Sequence, residues 1–116
     1  MTRKLAFVFP GQGAQKVGMG QDLYENYQEV KLIFEKANKI LGRDIKKICF
    51  QGPDEELNKT ENAQAGIFLT SVAINLLLEK QNIRPTYVAG HSLGEITACY
   101  VAGVFDLETS LELIKA

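Results

Sequence analysis

The sequence has few cysteines and a single histidine, and both shortages exclude common kinds of site. Cys49 and Cys99 are its two cysteines, and they lie far apart in the chain. Two such residues are too few for a disulfide scaffold and lack the spacing of a metal site. We therefore expect free thiols, a reducing cytoplasmic compartment and no bound metal. His91 is the one histidine, so it is the single candidate in this sequence for a histidine base.

Charge of one sign and long apolar runs are equally scarce. The 13 basic and 14 acidic residues are scattered and give a net charge of -1, which argues against a nucleic-acid-binding surface. The longest apolar stretch, residues 67–78, is interrupted by Thr70, Ser71 and Asn75 and is too short to cross a bilayer. The start of the sequence does not have the pattern of a signal peptide. We expect neither nucleic acid nor membrane as a partner.

What the sequence does contain is a short apolar run that breaks into Gly90-His91-Ser92-Leu93-Gly94 and then resumes with helical periodicity. This pattern predicts a strand, a sharp turn and a helix, with Ser92 in a strained backbone conformation. Its hydroxyl is then exposed, which makes Ser92 a candidate nucleophile. Gly90 and Gly94 allow the turn to close, because a side chain at either position would crowd the strand against the helix.

A second glycine-rich loop follows residues 4–9, which we predict to be a buried strand. It reads Pro10-Gly11-Gln12-Gly13-Ala14-Gln15. Glycines on both sides of Gln12 allow the backbone to turn an N–H outward, as an oxyanion site or a phosphate cradle requires. The loop lacks the Lys-Ser/Thr of a P-loop and the third glycine of a dinucleotide site, which disfavours a nucleotide. The plain alternative is a strand-to-helix turn without chemistry.

Between and after these loops the apolar residues recur at helical spacing. They predict a helix over 20–41 that divides near 26–29 and ends at Gly42. A central helix, apolar on nearly every side, is predicted from Asn62 to about Gln81. A helix over 93–101 follows the turn at Ser92.

Three aspartates precede further short helical segments, and we expect Asp44, Asp54 and Asp106 to act as N-caps. The order of strand, helices, strand and helix predicts an α/β fold. This is a partial, α/β-hydrolase-like parallel sheet with helices packed around it and a right-handed crossover. Both glycine-rich loops then lie at the carboxyl ends of the strands, where such sheets bind ligands.

A serine needs a base to remove its proton, and the base is usually a histidine. His91 is the neighbour of Ser92, and adjacent side chains diverge at a sharp turn. We expect His91 instead to pack beside the turn or to hydrogen-bond the backbone. Glu95 is interpreted as a surface carboxylate or a helper near the pocket, and Cys99 as a small buried residue.

Two backbone N–H groups are candidates to bind a developing oxyanion. The N–H of Leu93 directly follows the candidate nucleophile, and the N–H of Gln12 belongs to the first loop. Acyl transfer through a tetrahedral intermediate would use both donors.

Three motifs at this separation, Phe9-Pro10-Gly11-Gln12-Gly13, Gln51-Gly52-Pro53 and Gly90-His91-Ser92-Leu93-Gly94-Glu95, resemble the amino-terminal part of the malonyl-CoA:acyl carrier protein transacylases. This acyltransferase family also occurs in fatty acid and polyketide synthases. The resemblance covers the whole chain. It implies that malonyl-CoA acylates Ser92, that the amides of Gln12 and Leu93 bind the oxyanion, and that no cofactor is bound. It further implies that the malonyl group passes to the phosphopantetheine thiol of an acyl carrier protein in fatty acid biosynthesis.

The resemblance also defines what differs here. Gln64 matches a glutamine that family members carry near the active site, although Ala65 replaces the proline that follows it. Family members are much longer, and they supply the base histidine from a segment beyond a ferredoxin-like subdomain. They hold the malonyl carboxylate with an arginine on the next helix after the one that follows the serine turn. The arginines of this chain, Arg3, Arg43 and Arg84, are not on that helix.

We therefore expect residues 1–116 to be the amino-terminal part of the large acyltransferase subdomain, without the ferredoxin-like subdomain and the carboxy-terminal part. Such a fragment should expose apolar surface at its sheet edge and show little or no turnover alone. Two alternatives remain: a serine hydrolase or esterase, and a non-catalytic binding piece that keeps the turn as scaffold. The Gly-Gln-Gly loop and Glu95 favour the transferase.

Overall fold

A two-stranded parallel sheet and the helices around it hold the two glycine-rich loops. The computed structural model describes residues 4–115, so Arg3 lies outside the described residues. In chain order the elements are β1 (Ala6–Phe9), α1 (Gln21–Asn26), α2 (Gln28–Leu41), α3 (Ile45–Gln51), α4 (Asp54–Leu57), α5 (Thr60–Lys80), β2 (Tyr87–Gly90), α6 (Leu93–Val101) and α7 (Leu107–Lys115). Phe9 lies opposite Gly90 in the parallel register. The predicted α/β fold is confirmed, and both loops follow the carboxyl ends of the strands.

The predicted division of the first helical region lies at Tyr27, whose extended backbone separates α1 from α2. Gly42 ends α2 in the left-handed conformation with φ 72, as predicted. One face of α2 is buried by residues that repeat every three or four positions: Val30, Phe34, Ala37 and Leu41. This spacing explains why an amphipathic helix forms here.

Helix α5 is the centre of the molecule, and it packs against α2, α3, α4, α6 and α7. It begins at Thr60, so the prediction that Asn62 opens it is wrong by two residues. The Asn62 side chain is instead buried in the first turn. Its Oδ1 accepts a hydrogen bond from Arg43 Nε at 2.7 Å, and its Nδ2 donates to the Glu56 carbonyl at 2.9 Å. A polar residue that resembles a cap in sequence therefore satisfies a buried network.

The strands are less buried than predicted. In β1 only Phe9 is buried, while the Val8 side chain is 76% exposed. The prediction of a buried strand over residues 4–9 is therefore wrong, because within residues 4–115 each strand pairs only with the other. An open apolar cleft of about 460 Å³ separates β1 from α5. This cleft confirms the expectation of exposed apolar surface beside the sheet.

No helix within residues 4–115 is both long enough and apolar enough to cross a membrane.

The three aspartates proposed as N-caps behave differently. Asp44 Oδ1 accepts a hydrogen bond from the Lys47 N–H at 3.1 Å, and Asp106 Oδ1 accepts one from the Thr109 N–H at 2.7 Å. Asp54 makes no capping hydrogen bond, since Pro53 is the N-cap of α4 and Asp54 is its first residue. The Asp54 prediction is wrong because the chain turns one residue earlier.

Replacing Asp44 with alanine should lower the free energy of unfolding by about 1 kcal/mol at neutral pH, the usual worth of an N-cap. The backbone N–H of Lys47 lowers the pKa of Asp44 in the folded chain. Because the pKa is lower in the folded chain, ionised Asp44 stabilises the fold at a pH above its unfolded-state pKa. This contribution disappears as the pH falls through the folded-state pKa. Urea denaturation at pH 7 and in acid measures both effects.

The matched control is Asp54→Ala, which removes an exposed aspartate without a capping bond. It should change the free energy of unfolding by less than about 0.5 kcal/mol. Equal losses for the two variants would contradict the assignment of Asp44 as the cap.

Candidate active site

The turn between β2 and α6 holds Ser92 in a backbone conformation that few residues adopt. Its φ is 57 and its ψ is -114, and Asn82 is the other non-glycine residue with positive φ within residues 4–115. Such a conformation costs on the order of 1–3 kcal/mol and persists where the surrounding structure imposes it. The Ser92 residue is exposed. The predicted strained turn with an accessible serine is confirmed.

The two glycines of this turn occupy places where no side chain fits. A Cβ on Gly90 would collide with the carbonyl group of Gly94, and a Cβ on Gly94 would collide with the Phe9 carbonyl oxygen. The predicted crowding is confirmed. The second contact goes beyond the prediction, because it places the first turn of α6 against the end of β1 as well as β2.

A third glycine joins the first loop to this turn. A Cβ built on Gly11 would lie 2.6 Å from the His91 carbonyl oxygen and 3.6 Å from Ser92 Cβ. The backbone of the first loop therefore passes directly beside Ser92, and Gln12 is the next residue along it. Sequence reasoning explained Gly11 by the conformational freedom of the loop and missed this contact. The glycine itself could have indicated the contact, because close approach of two backbones is the other common reason for a glycine at a given position.

The backbone N–H groups of Gln12 and Leu93, the two proposed oxyanion donors, have no hydrogen-bond partner among residues 4–115. The next two N–H groups of α6 are engaged, since Gly94 donates to the His91 carbonyl at 3.0 Å and Glu95 donates to the Ser92 carbonyl at 2.9 Å. Helix amino termini carry partial positive charge. Unengaged N–H donors near a nucleophile are the groups that bind the oxyanion of a tetrahedral intermediate.

The His91 ring is exposed and makes no hydrogen bond within the described part of the chain. The expected side-chain bond to the backbone is therefore not formed, and packing of His91 beside the turn stays a prediction. The turn instead uses the His91 carbonyl, which accepts from Gly94. No side chain of residues 4–115 hydrogen-bonds the Ser92 hydroxyl.

The remaining candidates lie on helices α5 and α6. Glu95 is exposed, in accord with a surface carboxylate, and Cys99 is half-buried rather than buried as predicted. Gln64 is half-buried on α5, and its amide makes no hydrogen bond within residues 4–115. Its place near an active site therefore stays a prediction.

Burial raises the pKa of the Cys49 thiol to about 12, so this thiol stays protonated at neutral pH and is not a competing nucleophile.

Known proteins resemble this chain over nearly its whole length. The malonyl CoA-acyl carrier protein transacylase of Bacillus subtilis is 43% identical over 112 residues, which are 96% of this chain and 28% of that protein. The crystal structure of the Synechocystis malonyl-CoA:ACP transacylase superposes with a TM-score of 0.92 at 44% identity, covering 97% of this chain and 38% of that one.

A third relative is a structure of a type II PKS acyl-carrier protein in complex with its malonyl-transacylase. It has a TM-score of 0.91 and 40% identity, and the match covers 97% of this chain and 37% of that one. The chain thus spans about a third of the length of the relatives it matches.

The family model for the acyl transferase domain matches residues 6–115. This range contains both glycine-rich loops, the two strands and the strained turn at Ser92. The chain therefore belongs to the acyl transferase domain family.

Proposed function

We propose that the protein carrying this chain transfers a malonyl group from malonyl-CoA to the phosphopantetheine thiol of an acyl carrier protein, in fatty acid biosynthesis. The observation that carries the proposal is the contact between the two loops, with Gly11 against Ser92. This contact supports the proposal because it sets the first loop against the exposed Ser92, and the N–H groups of Gln12 and Leu93 have no partner within residues 4–115. The three relatives described above are named as malonyl transacylases, and these names support malonyl-CoA and carrier protein as substrates.

In the first half-reaction the Ser92 hydroxyl oxygen attacks the thioester carbonyl carbon. The N–H groups of Gln12 and Leu93 bind the oxyanion that forms. The carbon–sulfur bond then breaks, coenzyme A leaves as the thiol after taking up a proton, and a malonyl ester remains on Ser92. Ser92 thus acts as the nucleophile of a nucleophile elbow.

The second half-reaction reverses these steps with another thiol. The phosphopantetheine sulfur of the carrier protein attacks the ester carbonyl, the same two N–H groups bind the oxyanion, and Ser92 regains its proton. Both half-reactions need a general base. Since His91 is exposed and unbonded, we assign this role to a histidine in a later segment, as the family resemblance implies. Residues 1–116 would then be the amino-terminal part of the large subdomain.

The free thiols Cys49 and Cys99 support a reducing, cytoplasmic location.

The test is incubation of the native protein with radiolabelled malonyl-CoA and a phosphopantetheinylated carrier protein. We expect label to appear on the carrier protein through a labelled protein intermediate. Residues 1–116 alone should turn over little, because a triad member is missing. Label that ends as free malonate, with none on the carrier, would identify a hydrolase and sink the proposal. Unchanged substrate would favour a non-catalytic binding piece.

A further inference from the structure

The loop that carries Gln12 has little backbone support of its own. Residues 12–14 are exposed, and a Cβ on Gly13 would meet nothing within 4 Å. One backbone hydrogen bond closes the turn, from the Ala14 N–H to the Gly11 carbonyl at 3.3 Å. A loop with so few contacts adopts several conformations unless side chains hold it.

The side chain of Gln15 supplies such a contact. Its Oε1 accepts a hydrogen bond from the Gly13 N–H at 2.7 Å, and its Nε2 donates to Asn58 Oδ1 at 3.0 Å. Asn58 is itself fixed at the end of α4, where its backbone N–H bonds the Asp54 carbonyl at 2.8 Å. An amide is the neutral side chain that accepts on one atom and donates on another. Gln15 therefore links the loop to the helical frame.

The side chain of Gln12 makes a parallel link, since its Nε2 donates to Thr60 Oγ1 at 3.2 Å. Thr60 is the first residue of α5, two positions after Asn58. The Gln12 residue is thus held on both sides, through its own side chain and through the next peptide N–H. Its backbone N–H stays unengaged within residues 4–115. The Gln12 N–H is thus left free to bind the oxyanion of the proposed malonyl transfer.

We propose that Gln15 is a positioning residue, which fixes the Gln12 N–H toward the oxyanion by bridging the Gly13 N–H to Asn58. This inference rests on the proposed malonyl transfer. Because the N–H binds the oxyanion only as charge develops, the bridge should act on the transition state and not on substrate binding. Its loss should therefore lower kcat and leave KM unchanged.

The experiment compares Gln15→Ala and Gln15→Glu in the native protein, with kcat and KM for malonyl-CoA measured for each. Gln15→Ala should lower kcat about tenfold with KM within about twofold. Gln15→Glu should recover most of kcat, because its carboxylate still accepts from Gly13 and the Asn58 amide turns to donate. Gln28→Ala is the matched control, an exposed glutamine without a side-chain hydrogen bond, and should leave both constants unchanged.

A second readout does not depend on activity. Hydrogen exchange of the Gly13 amide should be slowed in the unmodified chain and in Gln15→Glu, and fast in Gln15→Ala. Wild-type kcat in Gln15→Ala would overturn the proposal. A raised KM with no rescue by glutamate would also overturn it, since this indicates a merely structural role. If the unmodified protein transfers no malonyl group, the proposed function fails, whereas the exchange of Gly13 still decides whether the bridge exists.

Discussion

Replacing Ser92 with alanine should lower the rate of malonyl transfer to carrier protein by about 10⁴-fold or more, because the loss of a covalent nucleophile leaves only binding and oxyanion stabilisation. Ser92 is exposed at a strained turn, and the backbone of the first loop lies against this turn at Gly11. The measurement is the initial rate at which label from malonyl-CoA reaches the carrier protein. The free energy of unfolding should change little, because the hydroxyl makes no hydrogen bond within residues 4–115.

The matched control for this variant is Ser71→Ala. Ser71 is a half-buried serine on α5 that lines the cleft beside β1. Its replacement should leave the transfer rate within about twofold. Transfer that survives in Ser92→Ala would contradict the assignment of the nucleophile and favour the turn as scaffold.

Replacing Gly90 with alanine should lower the free energy of unfolding by about 3 kcal/mol or more, which is the upper range for forcing a methyl group into closely packed backbone. The new Cβ would collide with the Gly94 carbonyl group, which is backbone and has no alternative rotamer. To relieve this contact, α6 has to move away from β2. Urea denaturation followed by circular dichroism measures the loss.

The control for Gly90→Ala separates crowding from the general cost of losing a glycine. Gly42 ends α2 with φ 72, and a Cβ there would meet nothing within 4 Å. Gly42→Ala should therefore cost about 1 kcal/mol, from backbone strain alone. An equal or smaller loss in Gly90→Ala would show that α6 adjusts freely, against the close packing described above.

Much of the architecture could be predicted because its causes are local. The left-handed conformation at Gly42, the capping oxygen of Asp44 and the strained turn at Ser92 each depend on a few neighbouring residues. Short-range rules of this kind can be applied along a sequence without knowledge of the fold. The parallel pairing of β1 and β2 followed from the order of strand, helices and strand.

Apart from Asp54, where the helix begins one residue earlier than expected, three features were missed because they depend on distant parts of the chain. Asn62 resembles a helix cap in sequence, but its side-chain amide accepts a hydrogen bond from Arg43 and donates one to the Glu56 carbonyl. The contact of Gly11 with Ser92 joins residues some eighty positions apart, so neither loop predicts it alone. The exposure of Val8 depends on what covers the sheet, which an apolar run cannot specify. The missing information was tertiary in each case.

The proposal that malonyl-CoA acylates Ser92 is tested most directly by mass spectrometry. The native protein is incubated briefly with malonyl-CoA, without carrier protein, and quenched with acid. Proteolysis should yield one peptide that carries a single malonyl group, with Ser92 as the modified residue. Addition of carrier protein before the quench should remove this modification. Malonyl found on another residue such as Cys99, or transfer to the carrier with no modified Ser92 at any time, would contradict the account.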